Sequence, residues 1–525
     1  MLAVAPSAAM GEVAATEECD APSSFVRFRQ PTLGAAAVHD ARHPHNWHAL
    51  KEISDTTRDA ASHLEFIRKQ VIGKGVAVVI RGGALDLLDG DSPVNRWSIA
   101  HFKERCAPTK RSATTRQRTR TRKSQQPLHV IREVKVLEPN GSFLYYDANI
   151  KPMVEQGFAA ASPGLRSRFY SLINASAGPF WRALETTQAA DVAAVSGRMA
   201  DEASADVKLA LTASVYELCN GVLNDDLLHD ARWGHFVHPR HSGRPSRNLW
   251  LSMPGVTTSW HYDTYDNFFV HLRGEKRVLV LPPSAFYALH FYPSLHPLYR
   301  KSQIVWEAFE DRSTEEMEAR FEGWDSFPQV QAVTLRRGDV LYLPSHWNHR
   351  VEALGTSTTA SLSFWSDSDD SLLHADILEV LVAQLLRVGH AGYGESRALD
   401  VLQAALHRVI EAALPSRTER RAFFGNLIHR QYLNGSARTA EFDPSVCQRC
   451  EPPLSFKAGA RERAFVAEIV REAVAGVAAK LERAPVTLVP IVLSFVIEKA
   501  LNKLFFADVR TVLCFIQSCF ASRLG

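Results

Sequence analysis

Cysteine is scarce and unpatterned in this chain. Seven residues scattered irregularly through 525 do not form a disulfide framework, and a reducing compartment fits them better. Cys447 and Cys450 make a solitary CxxC. With no second pair, and with Cys514 and Cys519 in an apolar stretch of helical texture, it is a poor zinc site. A surplus of charge of one sign is also missing. The net charge of +3 selects neither nucleic acid nor any other partner at the level of the whole chain. The most apolar run, PVTLVPIVLSFVI (485–497), ends at Glu498 and is shorter than the about 20 residues a membrane span requires. It predicts a buried or interface helix and no membrane anchor. The first residues, MLAVAPSAAMGEV, are Ala-rich without the basic region of a signal or transit peptide, so 1–45 reads as a disordered tail. A cytoplasmic or nuclear location follows as the expectation.

What is present is ordinary globular composition, with 46% apolar and 22% charged residues and ample length for a large core. The pattern predicts an amphipathic helix over 55–73, a β-branched strand over 75–83 and a helix over 96–106 opened near Asn95 or Ser98. Residues 110–123 carry seven basic side chains in fourteen and almost nothing apolar. They read as a solvated loop or, alternatively, a nuclear-localisation or nucleic-acid patch. Alternation returns over 129–147, with Pro139-Asn140-Gly141 as a hairpin turn. The Ala-rich stretch 160–220 reads as helical. Eight short strand-like segments follow between about 247 and 365, punctuated by Gly255, Gly274, Gly338 and Gly355, with an acidic surface insert over 307–325. Such spacing predicts an antiparallel barrel or jelly roll. Beyond Ser366 the texture is helical. One stripe runs through Leu399, Leu402, Leu406, Val409, Ile410 and Ala413, another through Phe465, Ile469, Ala473, Val477 and Leu481. The fold class expected is α+β, a double-stranded β-helix core with flanking helices and an all-helical C-terminal region. Its divisions fall at 1–45, 46–370 and 371–525.

The chemistry concentrates in SWHYDTYDNFF (259–269) and LYLPSHWNHRVEAL (341–354). On a strand, His261 and Asp263 leave the same face while Tyr262 leaves the other. An imidazole from a distant strand, His349, completes a two-histidine, one-carboxylate face of the kind that holds Fe(II) and keeps positions open. HxD alone is a weak motif; its surroundings make it specific.

Those surroundings, from 248 to 365, resemble the JmjC family of Fe(II)/2-oxoglutarate oxygenases. Within it they resemble most the asparaginyl-hydroxylase branch of factor inhibiting hypoxia-inducible factor. The shared phrasing runs through Val256-Thr257-Thr258, His261-Tyr262-Asp263, Asn267-Phe268-Phe269 and Gly274-Glu275-Lys276-Arg277. It continues through Ser302-Gln303, Gly338-Asp339-Val340-Leu341-Tyr342, Trp347, His349 and Phe364-Trp365. The resemblance implies a JmjC/cupin core and a metal held by His261, Asp263 and His349. It further implies a 2-oxoglutarate carboxylate anchored by Lys276 with help from Thr258 and Tyr145, and Asn267 near the metal. Lys276 also fits a plain hairpin-turn lysine. Two positions depart from that branch: Ser363 stands where it has asparagine, and Lys301 where it has a substrate-binding glutamine. A lysine offers donors only, so a different substrate is expected. His271, His290, His296 and His346 are expected to be structural or on the surface, and Trp260, Trp347 and Trp365 to be core or pocket wall.

The resulting expectation is an Fe(II)- and 2-oxoglutarate-dependent dioxygenase acting on a macromolecule, first a protein side chain. The alternatives are a tRNA-base hydroxylase gripping RNA through 110–123, a histone lysine demethylase, or an inactive scaffold that binds a protein partner. The apolar 485–520 segment further suggests a homodimer through the C-terminal helices.

Overall fold

The computed structural model describes residues 48–54, 60–89, 92–106, 130–137, 142–143, 170–197, 207–304, 314–321, 327–433, 459–505 and 509–524. The tail 1–45, Tyr145, the basic run 110–123 and the Cys447–Cys450 pair lie outside the described residues.

Among the described residues, seven strands precede the predicted barrel: β1 (His48–Ala49), β2 (Glu52–Ser54), β3 (Val78–Arg81), β4 (Val130–Leu137), β5 (Ser142–Phe143), β6 (Tyr170–Ser176) and β7 (Lys208–Ser214). The barrel comprises β8 (Ser246–Ser252), β9 (Thr257–Tyr262), β10 (Asp266–Arg273), β11 (Glu275–Leu281), β12 (Gln331–Leu335), β13 (Val340–Leu343), β14 (Asn348–Leu354) and β15 (Thr359–Ser366). One sheet runs β1-β12-β11-β14-β9-β5, the other β2-β3-β13-β10-β15-β8-β7-β4-β6. The eight barrel strands divide four and four between the two sheets as antiparallel neighbours, the chain crossing from sheet to sheet at every connection but β11–β12, which is jelly-roll topology. All four predicted turn glycines have positive φ. Gly338 admits nothing else: a Cβ there would lie 2.4 Å from Leu85 Cδ2, on a backbone with φ +88°.

Alternation along the strands sorts their side chains into layers. Phe269, Val278, Val280, Leu335, Leu341 and Leu343 fill the space between the sheets. Phe268, Val270, Leu362 and Phe364 leave the outer face of the larger sheet and pack with Phe102, Phe180 and Trp181 from the N-terminal half. Trp260, Tyr262, Leu279 and Leu281 leave the outer face of the smaller sheet and share one core with the C-terminal helices.

Those helices span Asp369–His390, Glu395–Ala413, Arg417–Gly425, Ala460–Leu481 and Val489–Phe505. Ser368 caps the first, accepting from Ser371 N, and its Oγ donates to Asp266 Oδ1 at 2.8 Å, pinning the helix start to β10. Most of both predicted stripes is buried within the chain, as is Ile491–Leu493, while Leu399 and Phe465 are half-buried. No helix among the described residues is long and apolar enough to cross a membrane.

Three expectations are corrected. Strand β4 pairs with β6 and β7, whereas β5 pairs in parallel with β9 in the other sheet, so 129–147 is not a hairpin. The Ala-rich stretch 160–220 contains helices Ala177–Thr186 and Ala189–Ser196 but also β6 and β7. There, pairing with β4 and β8 overrides the weak β-preference of LALTAS. Cys106, Cys514 and Cys519 are disulfide-bonded where no disulfides were expected.

Candidate metal centre

His261 on β9 and His349 on β14 are directly paired across the smaller sheet, with ring centroids 4.1 Å apart. Asp263 follows β9 by one residue. Ligand-type atoms of the three residues lie within 4.8 Å of one another, and His349 Nε2 is 3.8 Å from Asp263 Oδ2. Each imidazole turns its Nδ1 to a backbone carbonyl two residues back: His261 to Ser259 O at 2.8 Å, His349 to Trp347 O at 3.0 Å. A carbonyl only accepts, so Nδ1 carries the proton and Nε2 keeps the lone pair a metal needs. Burial lowers the pKa of His261 well below the usual histidine range. It also lowers that of His349, against the opposing pull of Asp263. Both rings are therefore neutral near pH 7 and able to ligate.

The cavity between the sheets encloses about 550 Å³ of non-atom space, the open solvent at its mouth included. Its lining brings together the triad, Thr258, Asn267, Lys276 and Ser363 among largely apolar walls. Strict alternation would turn Thr258 away from His261. A bulge prevents this, since β14 advances two residues from His349 to Val351 while β9 recedes three, from His261 to Thr258. Such bulges re-aim side chains at sites.

Lys276, on β11, is 3% exposed, with Nζ 5.4 Å from the Phe269 ring centroid. Desolvation alone pulls its pKa down to about 7. Asn267 Oδ1 is buried with no hydrogen-bond partner. Ser363 Oγ accepts from Trp250 Nε1 at 2.9 Å, so in place of a longer polar side chain the serine fixes an indole in the wall. Lys301 is 3% exposed and bridges the backbone of His261, outside the residues lining the cavity. His271 is a satisfied core histidine, bonded to Ser361 Oγ and Gly274 O, with burial lowering it to about 4. His290, His296 and His346 pack on Phe321, Tyr292 and Tyr262.

Two residues escaped the sequence reading. Arg300 Nη1 stands 3.6 Å from Asp263 Oδ1, opposite the oxygen that faces His349. Trp250 forms cavity wall. Arg300 lies in a loop beside Lys301 and Ser302-Gln303, which the resemblance had marked, but was not itself singled out.

The donor set fits ferrous iron and a dicarboxylic co-substrate. Two imidazoles present Nε2 beside a carboxylate, and a buried ammonium and an unpartnered amide oxygen line the same cavity. A pH effect follows. Lys135, Lys276 and Lys301 are each lowered by burial to about 7 from 10.5. Between those values the unfolded chain binds more protons, so stability rises with pH across that window and the full penalty applies below about 7. Urea midpoints of the metal-free protein are expected to be higher at pH 9 than at pH 7, and Lys276→Met should reduce that difference.

A jelly roll with a two-histidine, one-carboxylate face defines the class. Residues 23–371 match the cupin-like domain, and the chain belongs to that family. It is homologous to JmjC demethylases and hydroxylases. It is 28% identical over 149 residues to lysine-specific demethylase JMJ32 of Arabidopsis thaliana, covering 24% of this chain and 43% of that protein. With HSPB1-associated protein 1 of Homo sapiens it is 29% identical over 164 residues, 31% of each chain. With the human bifunctional peptidase and (3S)-lysyl hydroxylase JMJD7 it is 29% identical over 139 residues, 24% of this chain and 43% of that one. The chain thus spans less than half the length of these relatives.

Proposed function

We propose that this protein is an Fe(II)- and 2-oxoglutarate-dependent oxygenase that hydroxylates a side chain of a protein substrate. The observation that carries the proposal is one cavity holding both a neutral two-histidine, one-carboxylate face and a buried ammonium. His261, Asp263 and His349 would hold the metal, and Lys276, with Thr258 and Asn267, the co-substrate. Bound together, these groups supply the oxidising power: dioxygen is consumed, 2-oxoglutarate leaves as succinate and CO2, and a substrate C–H becomes C–OH. The chain's own part is placement. The Ser259 and Trp347 carbonyls hold the imidazole tautomers, and Lys276 neutralises a carboxylate that the apolar walls strip of water. Val278, Leu341 and Leu343 keep that interior dry.

Demethylation is a second reading, because one of the relatives bears the name of a lysine-specific demethylase. Both reactions begin with the same oxidation, and an N-methyl product then breaks down to formaldehyde. The test is purified protein with Fe(II), 2-oxoglutarate and either cell-extract protein or tRNA. Succinate should form, with a single-oxygen mass gain on protein and no formaldehyde. Formaldehyde release would turn the assignment to demethylation, a gain on tRNA to the nucleic acid. Absence of any succinate would remove the oxygenase.

A further inference from the structure

The edge of β9 at its metal ligands is completed by a loop. Strand β5 reaches only Thr257 and Thr258. Beyond them, Ser302 N donates to Trp260 O at 2.9 Å, Tyr262 N donates to Arg300 O at 3.2 Å, and Lys301 bridges His261. The same loop brings Arg300 to Asp263. It is a small hairpin, with Tyr292 N on Lys301 O and Gln303 N on His290 O, and Phe291 bridging Ser302.

Its far side is tied to the C-terminal helices. Glu498, 1% exposed, accepts from Ser294 N at 2.8 Å and from Tyr432 Oη at 2.6 Å, while Lys499 Nζ donates to Ser294 O at 2.7 Å. Gln303 Nε2 donates to the carbonyls of Arg430 and Gln431 at 3.2 and 3.1 Å. A buried carboxylate satisfied by backbone and hydroxyl donors is a stiff anchor, and its loss removes the acceptor that ties hairpin to helix.

We infer that Glu498 is a positioning residue for the metal centre. Through the 290–303 hairpin it holds the β9 edge in register, so that His261 and Asp263 meet His349. The C-terminal helices are thereby part of the metal site's support. The inference rests on the metal reading of the triad.

The test titrates the full metal-free chain with Co(II) alone, followed by visible absorption, with unfolding midpoints measured alongside. Glu498→Ala should weaken Co(II) binding about tenfold or more, as loss of groups that orient ligands does. Glu498→Gln should stay close to wild type, because its amide can accept from Ser294 N and donate to Tyr432 Oη. Leu493→Ala, a buried cut on the same helix with at least as large a drop in midpoint, should leave Co(II) affinity near wild type. Wild-type affinity in Glu498→Ala, or an equal loss in Leu493→Ala, overturns the inference. If Glu498→Ala does not fold, Gln303→Met severs the hairpin's other tie and carries the same expectation and the same refutation. A wild-type chain that binds no Co(II) removes the metal reading, and the inference with it.

Discussion

His261→Ala and Asp263→Ala are each expected to lower 2-oxoglutarate-dependent succinate formation by more than about 100-fold. Disturbing groups that merely orient a metal ligand costs about 10–100-fold in affinity or activity, so removing a ligand itself should exceed that range. Nothing nearby can substitute, since among the described residues the only group of three or more ligand-type side chains that could hold a metal is the triad. Stability should fall far less than activity. His261 is buried, and alanine removes a ring whose neutral form is already solvated by one carbonyl, leaving a cavity but no unpaired charge. Retained fold with lost iron, measured by circular dichroism and metal analysis, is the expected signature. Undiminished succinate formation in either variant would end the oxygenase assignment.

Lys276→Met should raise the dissociation constant for 2-oxoglutarate by about two to three orders of magnitude, since removing one partner of a buried ion pair costs about 3–5 kcal/mol. In the metal-free, ligand-free chain the same change should stabilise. It replaces an ammonium, buried among Phe269, Val278 and Leu341 and depressed to about 7 by desolvation, with an apolar side chain of similar length. A turn lysine would show neither effect. Calorimetric titration of 2-oxoglutarate into the Mn(II)-loaded chain, beside urea denaturation of the bare one, measures both. An unchanged dissociation constant would return Lys276 to hairpin chemistry.

The barrel was legible because its signals are local and agree with one another. Eight β-branched or aromatic segments alternate with glycines whose positive φ the turns require. The triad was legible because period two places His261 and Asp263 together, and because the wording around them is specific. Thr258 lines the cavity for a reason the period does not contain: only the bulge in β9 turns it inward. Strand β7 was not legible, because Ala and Ser in LALTAS carry little intrinsic β-preference and its neighbours in the sheet decide its state. Nor was Arg300: charge in a loop reads as solvated, and its 16% side-chain exposure is set by chain remote in sequence. The C-terminal stripes were visible as stripes, but what they cover is a matter of tertiary placement, and they pack chiefly on neighbouring helices.

Trp260, Tyr262, Leu279 and Leu281 face away from the cavity into a core shared by Phe286, Phe291 and Phe321 and by the C-terminal helices. Trimming the polypeptide at residue 371, where the family match stops, would therefore open one side of that core to water. An isolated cupin-like core of that length should be sticky, chaperone-bound or insoluble, and a weak signal from it would say little of the full chain.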